Sequence, residues 1–251
     1  MLLILLGIIF STPFIAIGQS HLFSYEIYVS TSEDSLFYRQ LISDYSTDAK
    51  YPLVIFLHGA GERGVDNEAQ LKWGVTHFAD EELMKTEMPI VIAPQCPPES
   101  SWGGLTYDEV PKRGPLTNPM KMVIELIESK IRDGNIDTNR IYITGLSMGG
   151  FGTFDIISRK PELFAAAVPV CGGGDITLAQ SFSQIPIWIF HGALDDVVSP
   201  DLSMKMHKAL VEAGAQPGLT IYPNVGHFAW LGAYSDKMMM NWLFNQNLTN
   251  R

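Results

Sequence analysis

Hydrophobic residues in this chain are concentrated in six short uninterrupted runs, separated by more polar intervals. The runs read YPLVIFLHG, MPIVIAPQ, RIYITG, AAAVPV, IPIWIF and LTIYP. Their length and their β-branched residues favour buried strands. Several intervals have apolar residues at helical spacing and predict helices near residues 120–131, 150–158 and 203–213. Such strands between amphipathic helices predict a parallel sheet with helices on both faces.

The N-terminal part of the pattern predicts two further strands. Residues 23–30 and 36–42 are strand-like and are joined by the polar sequence TSED, which favours an antiparallel hairpin. At 251 residues with 46% hydrophobic content, the chain is long enough for one substantial core. We therefore predict an α/β protein with an about eight-stranded, mostly parallel sheet. Residues 19–251 should form a single domain.

The first 18 residues, MLLILLGIIFSTPFIAIG, contain no charged side chain and end in a small-x-small pattern. We interpret residues 1–18 as a signal peptide that is cleaved before Gln19, which predicts a secreted or periplasmic protein without a stable membrane span. No Lys or Arg precedes the apolar run, unlike in most signal peptides. A retained membrane anchor is therefore the alternative interpretation.

Charge and cysteine content narrow the possible partners. The chain has 17 Lys and Arg against 27 Asp and Glu, a formal net charge of −10, whereas a nucleic-acid surface needs clustered basic residues. A small or neutral partner is expected. Cys96 and Cys171 are the two cysteines, too few for a disulfide framework, and their spacing leaves open whether they pair. We expect neither a metal nor an organic cofactor, because no histidine and carboxylate residues have ligand spacing.

Ser147 is the first candidate for chemistry. It lies between the strand-like sequence RIYIT and a helix-like stretch, with Gly145 and Gly149 two residues away on either side. The glycines remove side chains that would collide in a tight strand-to-helix turn, and such a turn pushes the serine hydroxyl outward. A serine at a helix start is otherwise an ordinary N-cap. The flanking strand and glycines favour a nucleophile.

A serine nucleophile needs a base that takes its proton and an acid that orients the base. Asp195 and Asp196 follow the apolar run IPIWIF, and His227 follows LTIYP. Serine, acid and histidine in this order are typical of a triad on an open α/β sheet. We choose Asp195 because it lies four residues after His191, where the loop leaves the strand, and interpret Asp196 as a loop residue.

The negative oxygen of a tetrahedral intermediate needs hydrogen-bond donors. The N–H of Met148, directly after the serine, is the first candidate. The run YPLVIFLHG leads into the glycine-rich turn HGAGERG, from which the N–H of Ala60 is the second. His58 precedes this turn, and we interpret it as a residue that braces the loop.

Six motifs in this order carry a resemblance across most of the chain: HGAGERG, PQCP followed by Trp102, GLSMGG, CGGG, HGALDDVV and GHFAW. They resemble the α/β-hydrolase superfamily and, more narrowly, the secreted bacterial esterases related to feruloyl and acetylxylan esterases. The resemblance implies a small-molecule or carbohydrate-linked ester as substrate. It also implies the site residues Ser147, Asp195, His227, Ala60 and Met148.

Three aromatic residues are candidates for a substrate pocket. Trp102 lies in the irregular segment 95–118, while Phe228 and Trp230 follow the histidine. Rigid aromatic side chains could contact an acyl or aryl group, and packing in the core is the alternative. For function, the alternatives to an ester hydrolase are cleavage of peptide or acyl-phospholipid bonds by the same triad, and a non-catalytic binding protein.

Overall fold

Eight strands form one sheet in the computed structural model, which describes residues 19–41, 45, 46, 48–104 and 110–250. The strands are β1 (Phe23–Val29), β2 (Ser35–Leu41), β3 (Tyr51–Leu57), β4 (Ile90–Pro94), β5 (Ile136–Leu146), β6 (Ala166–Val170), β7 (Trp188–Gly192) and β8 (Gly218–Tyr222). Their order in the sheet is β1-β2-β4-β3-β5-β6-β7-β8. β2 is antiparallel to both of its neighbours, and the other pairings are parallel. The prediction of an eight-stranded, mostly parallel α/β sheet is confirmed.

The helices of the described residues are α1 (Glu81–Thr86), α2 (Asn118–Asp133), α3 (Met148–Arg159), α4 (Pro200–Glu212), α5 (Trp230–Ser235) and α6 (Lys237–Phe244). Polar residues at the N-caps explain several starts. The Thr117 side chain accepts the N–H of Met120, and the Asp80 carboxylate accepts two N–H groups of α1. Gly134, with a φ of 96°, ends α2. Helix α1 was not predicted, because its six residues are too few to establish a period.

Alternate residues of β3 face two separate hydrophobic clusters. Leu53, Ile55 and Leu57 pack in the cluster that contains α2, α3 and α4. Val54 and Phe56 pack with α5 and α6 in the other cluster. The central strand is therefore buried on both sides, as its continuous apolar sequence predicts.

Some of the predicted segments lie partly or wholly outside the described residues. The predicted signal peptide, residues 1–18, lies outside them, as do Ile42 at the end of the second predicted strand and residues 105–109 of the irregular segment. Within the described ranges, no helix is both long and apolar enough to cross a membrane. Cys96 and Cys171 are both buried and free.

The parallel strands bring the candidate residues to one edge of the sheet. Ser147 directly follows β5, Asp195 lies three residues after β7, and His227 lies five residues after β8. Since β5 to β8 are adjacent and parallel, their carboxyl ends lie side by side. This edge is where ligands bind in open α/β sheets.

Candidate active site

The backbone at Ser147 has the strained geometry of a sharp turn. Its φ of 54° and ψ of −118° are rare for a residue with a side chain. A Cβ atom at Gly149 would lie 1.9 Å from the carbonyl oxygen of Leu57, and one at Gly145 would lie 2.4 Å from the carbonyl oxygen of Gly149. Only glycine fits at these two positions, which explains the spacing of the motif.

Ser147, His227 and Asp195 form a continuous chain of hydrogen bonds. His227 Nε2 is 2.9 Å from Ser147 Oγ, and His227 Nδ1 is 2.7 Å from Asp195 Oδ2. An ionised carboxylate can only accept, so Nδ1 carries a proton and donates it to Asp195. Nε2 of the neutral ring is then free to accept the serine hydroxyl proton. The structure thus brings together the three residues that were chosen from the sequence, with His227 bound to each of the other two.

Asp195 accepts three hydrogen bonds and makes a close contact with a second imidazole. Its Oδ1 accepts the N–H groups of Val197 at 3.0 Å and Val198 at 2.9 Å. Its Oδ2 is bound by His227 and also lies 3.1 Å from Nε2 of His191. Burial would raise the pKa of Asp195, but the hydrogen bonds from the two histidines and from the backbone hold this pKa well below its usual range. The carboxylate therefore stays ionised. Neighbouring Asp196 is exposed.

Two backbone N–H groups lie at helix starts beside the serine. Met148 is the first residue of α3, and Ala60 is the first residue of a 3-10 turn, so neither N–H has an acceptor within its own helical element. A Cβ atom at Gly59 would lie 3.6 Å from Ser147 Cβ, which places the two segments against each other. This arrangement can stabilise an oxyanion.

His58 braces the turn that contains Ala60. Its Nε2 accepts the N–H of Cys96 at 2.9 Å, and its Nδ1 donates to the carbonyl oxygen of Gly59 at 2.6 Å. Burial lowers the pKa of His58 to about 4, so the ring is neutral at pH 7. With both nitrogens engaged, His58 serves to hold the loop.

Trp102 does not line a pocket, contrary to the expectation from the sequence. Its side chain has no exposed surface, and its Nε1 donates to the carbonyl oxygen of His58 at 3.0 Å. The ring packs edge-on against the His58 ring. Trp102 therefore supports the glycine-rich turn from behind.

An aromatic cluster lies beside His227. The Trp230 ring is buried and stands edge-on to the His227 ring at a centroid distance of 5.0 Å. Phe228 packs on Trp230 and is 53% exposed. Trp73, which sequence reasoning missed, lies 5.8 Å from Phe228 and is half-buried. Phe228 thus offers a surface to a ligand, whereas Trp230 mainly supports the histidine.

Glu62 is a second residue near the site that the sequence pattern did not identify. It is 6% exposed and ends the 3-10 turn that begins at Ala60, and its Oε1 accepts the Nε1–H of Trp73 at 3.1 Å. Burial raises the pKa of Glu62, although Lys72 and the Trp73 hydrogen bond act in the opposite direction. The carboxylate thus links the turn to the aromatic cluster. No sequence pattern points to this contact, because residues 63–72 lack a regular period.

Of the described residues, one group of three could hold a metal ion. The ligand atoms of Cys171, His191 and Asp195 lie within 4.8 Å of one another, and all three residues are buried. Burial raises the pKa of the Cys171 thiol to about 12, and the carboxylate already accepts three hydrogen bonds and contacts His191. A metal here would compete with the bond between Asp195 and His227.

A mostly parallel sheet with a strained serine after β5, a carboxylate after β7 and a histidine after β8 defines the class of α/β-hydrolases. Residues 44–240 match the model of the phospholipase/carboxylesterase family. The chain belongs to this family.

Relatives in sequence and in structure agree with this assignment. Acyl-protein thioesterase 1 of Neurospora crassa is 30% identical over 206 residues, which cover 71% of this chain and 80% of that protein. The bifunctional acetylxylan esterase/xylanase XynS20E of Neocallimastix patriciarum is 29% identical over 148 residues, 59% of this chain. The crystal structure of a thermostable esterase is 39% identical with a TM-score of 0.86 and covers 91% of this chain. The chain matches 20% of the length of XynS20E and 64% of that of the thermostable esterase.

Proposed function

We propose that this protein is a serine carboxylic-ester hydrolase that works through an acyl-enzyme. The observation that carries the proposal is the hydrogen-bonded chain from Ser147 through His227 to the ionised Asp195. Two N–H groups beside the serine, those of Met148 and Ala60, have no acceptor within their own helical elements. These parts together are what acyl transfer to a serine requires.

In the first half of the reaction, Ser147 Oγ attacks the ester carbonyl carbon while His227 Nε2 takes the hydroxyl proton. The N–H groups of Met148 and Ala60 bind the negative oxygen of the tetrahedral intermediate. Asp195 stabilises the imidazolium that has formed. His227 then gives its proton to the leaving alcohol, the C–O bond to the alcohol breaks, and the acyl group stays on Ser147.

In the second half, water takes the place of the alcohol. His227 Nε2 accepts a proton from this water, whose oxygen attacks the acyl carbon. The intermediate collapses when His227 returns the proton to Ser147 Oγ, and the carboxylic acid leaves. No atom outside this chain and its substrates is needed to balance the two half-reactions.

For the substrate we propose short acyl or aromatic esters of plant polysaccharide, such as acetyl or feruloyl esters. Support comes from the acetylxylan esterase relative and from Phe228, which exposes an aromatic surface next to the base. Export directed by residues 1–18 would bring the enzyme to such polymers outside the cell, so we propose a secreted or periplasmic location.

The test compares wild type with Ser147→Ala, both as residues 19–251, on aryl esters of increasing acyl length and on methyl ferulate. Loss of hydrolysis in the variant is expected, because no other group supplies the nucleophile. Ser32→Ala in the exposed β1–β2 turn is the control and should keep wild-type turnover. Wild-type turnover in Ser147→Ala would overturn the mechanism.

The thioesterase relative favours acyl-thioesters as a second substrate class. The same site could attack a thioester, because the attack by Ser147 Oγ and the removal of its proton by His227 are the same for both substrates. Comparing kcat/KM for an acetyl aryl ester and a palmitoyl thioester separates the two substrate classes. A higher value for the long thioester would replace the polysaccharide assignment while leaving the triad in place.

A further inference from the structure

A second imidazole contacts the carboxylate of the triad. His191 lies on β7 and is completely buried. Its Nε2 is 3.1 Å from Asp195 Oδ2, the same oxygen that binds His227 Nδ1 at 2.7 Å. Asp195 Oδ2 therefore stands between two histidine rings.

The contacts of His191 determine where its protons are. Nε2 also lies 2.9 Å from the carbonyl oxygen of Val198. A carbonyl oxygen and an ionised carboxylate can only accept, so Nε2 must carry a proton. Nδ1 is 2.7 Å from Ser203 Oγ, which is 3.1 Å from the carbonyl oxygen of Gly172. With the single ring proton on Nε2, Nδ1 is the acceptor, and the Ser203 hydroxyl donates to it.

We propose that His191 is a positioning residue that holds Asp195 Oδ2 in place and weakens its pull on His227. The inference rests on the proposed function. An N–H group held 3.1 Å from a carboxylate oxygen stabilises the ionised form by its dipole and makes that oxygen a poorer acceptor for the next donor. His191 thereby limits how strongly Asp195 favours the protonated His227. As a result, the base is free to accept the serine proton at a lower pH.

Among the described residues, few other titratable groups lie near Asp195 and His191. The groups that face Asp195 and His191 from the neighbouring elements are the thiol of Cys171 after β6, the hydroxyl of Ser203 on α4 and the ring of His227 after β8. The phenol of Tyr234 on α5 lies behind Cys171, and burial raises its pKa. Burial also raises the pKa of Cys171 to about 12, so the thiol stays neutral. Neither the thiol nor the phenol therefore changes its charge at moderately acid pH.

The test uses two variants of the 19–251 chain. His191→Leu fills the site without a donor, whereas His191→Gln can place an amide N–H near the position of Nε2. The readout is kcat/KM for a soluble aryl ester as a function of pH, because its acid limb reports protonation of the base. The leucine variant should move the midpoint of the acid limb upward by about half to one pH unit. The glutamine variant should restore the wild-type midpoint.

A purely structural role predicts a different result. If both variants lose activity while their acid limbs coincide with that of wild type, His191 only supports the fold and the inference is wrong. Should the leucine variant fail to fold, His191→Met provides the same loss of a donor with an adaptable side chain. The low-field NMR signal of the His227 Nδ1 proton gives a second readout, and it should move downfield without the His191 donor.

The outcome is separable from that of the proposed function. Full turnover in Ser147→Ala would remove the triad mechanism itself. An inactive Ser147→Ala combined with an unmoved acid limb in the leucine or methionine variant would leave the triad intact and refute only the role of His191.

Discussion

The serine and the histidine–aspartate pair are held in different ways. Backbone atoms fix Ser147: the turn is packed against the chain at Leu57 so closely that a single added carbon at Gly149 would overlap it. The side chains of His227 and Asp195 are fixed by their mutual hydrogen bond, by two backbone N–H groups that donate to Asp195 and by the contact between Asp195 and His191. The nucleophile is thus positioned by close packing of backbone atoms, and its partners are positioned by polar contacts.

Because they are held differently, the serine turn and the histidine–aspartate pair should respond differently to substitution. Close packing of backbone atoms allows one geometry, so a substitution either fits or disrupts the fold. A network of hydrogen bonds can lose one member and keep its shape, while the acidity of its groups changes. We therefore expect substitutions of the glycines in the serine turn to act on stability, and substitutions around the aspartate to act on the reaction.

The largest effect is expected at the acid. Asp195→Asn should lower kcat by about 1,000- to 10,000-fold, since a neutral amide neither selects the correct histidine tautomer nor stabilises the imidazolium. Asp196→Asn, one residue away and exposed, is the matched control and should differ from wild type by less than about twofold. Steady-state hydrolysis of an aryl ester measures both. Equal losses in the two variants would contradict the assignment.

The second largest effect is expected from a substitution that disturbs the packing of the serine turn. Gly149→Ala should lower the free energy of unfolding by about 3 kcal/mol or more, because its Cβ would lie 1.9 Å from the Leu57 carbonyl oxygen. Gly61→Ala, where an added Cβ meets nothing within 4 Å, should change stability by less than about 0.5 kcal/mol. Urea unfolding distinguishes the two. Similar stabilities would mean that the turn can relax.

A smaller effect is expected where the histidine loop meets the substrate. Phe228→Ala should raise KM for aryl esters by about two- to tenfold with little change in kcat, the scale of one aromatic contact. Leu231→Ala, which removes a side chain of similar exposure, should leave KM unchanged. Equal effects in the two variants would show that Phe228 has no special contact with the substrate.

The smallest effect concerns the pH dependence of stability at Glu62. Burial raises its pKa in the folded protein, whereas in the unfolded chain a glutamate titrates near about 4.3. Because the folded state holds this proton more tightly, the Glu62 contribution to stability falls as pH rises from the unfolded to the folded pKa.

Glu62→Gln cannot titrate, so its melting temperature relative to that of wild type should rise as the pH increases above about 4.3. The exposed Glu162→Gln should follow the wild-type curve. Parallel curves for wild type and Glu62→Gln would show that the folded environment does not shift this carboxyl.

The sequence was most informative where a local constraint leaves few choices. The glycines around Ser147 encode a backbone geometry, and that geometry is found in the structure. The order of serine, aspartate and histidine also led to residues that meet in space, because adjacent parallel strands end at a common edge. Both arguments depend on the main chain and on topology.

Contacts that depend on side-chain direction could not be predicted in the same way. A tryptophan in a loop has the same sequence signature whether its ring faces a cleft or the core, and Trp102 faces the core. Trp73 and Glu62 meet across a segment without a regular period. His191 ends an apolar strand like an ordinary buried residue, and its i,i+4 spacing to Asp195 was the one available signal.

The succession β5 to β8 also sets the time at which the site is completed. These strands are neighbours in the sheet in the same order as in the chain, and the loops after β5, β7 and β8 bring the serine, the aspartate and the histidine to the edge in turn. During synthesis the serine turn leaves the ribosome 80 residues before the histidine (from 147 to 227). A growing chain therefore holds a serine without its base for most of that interval, and is inert toward the esters around it until its last strand has docked.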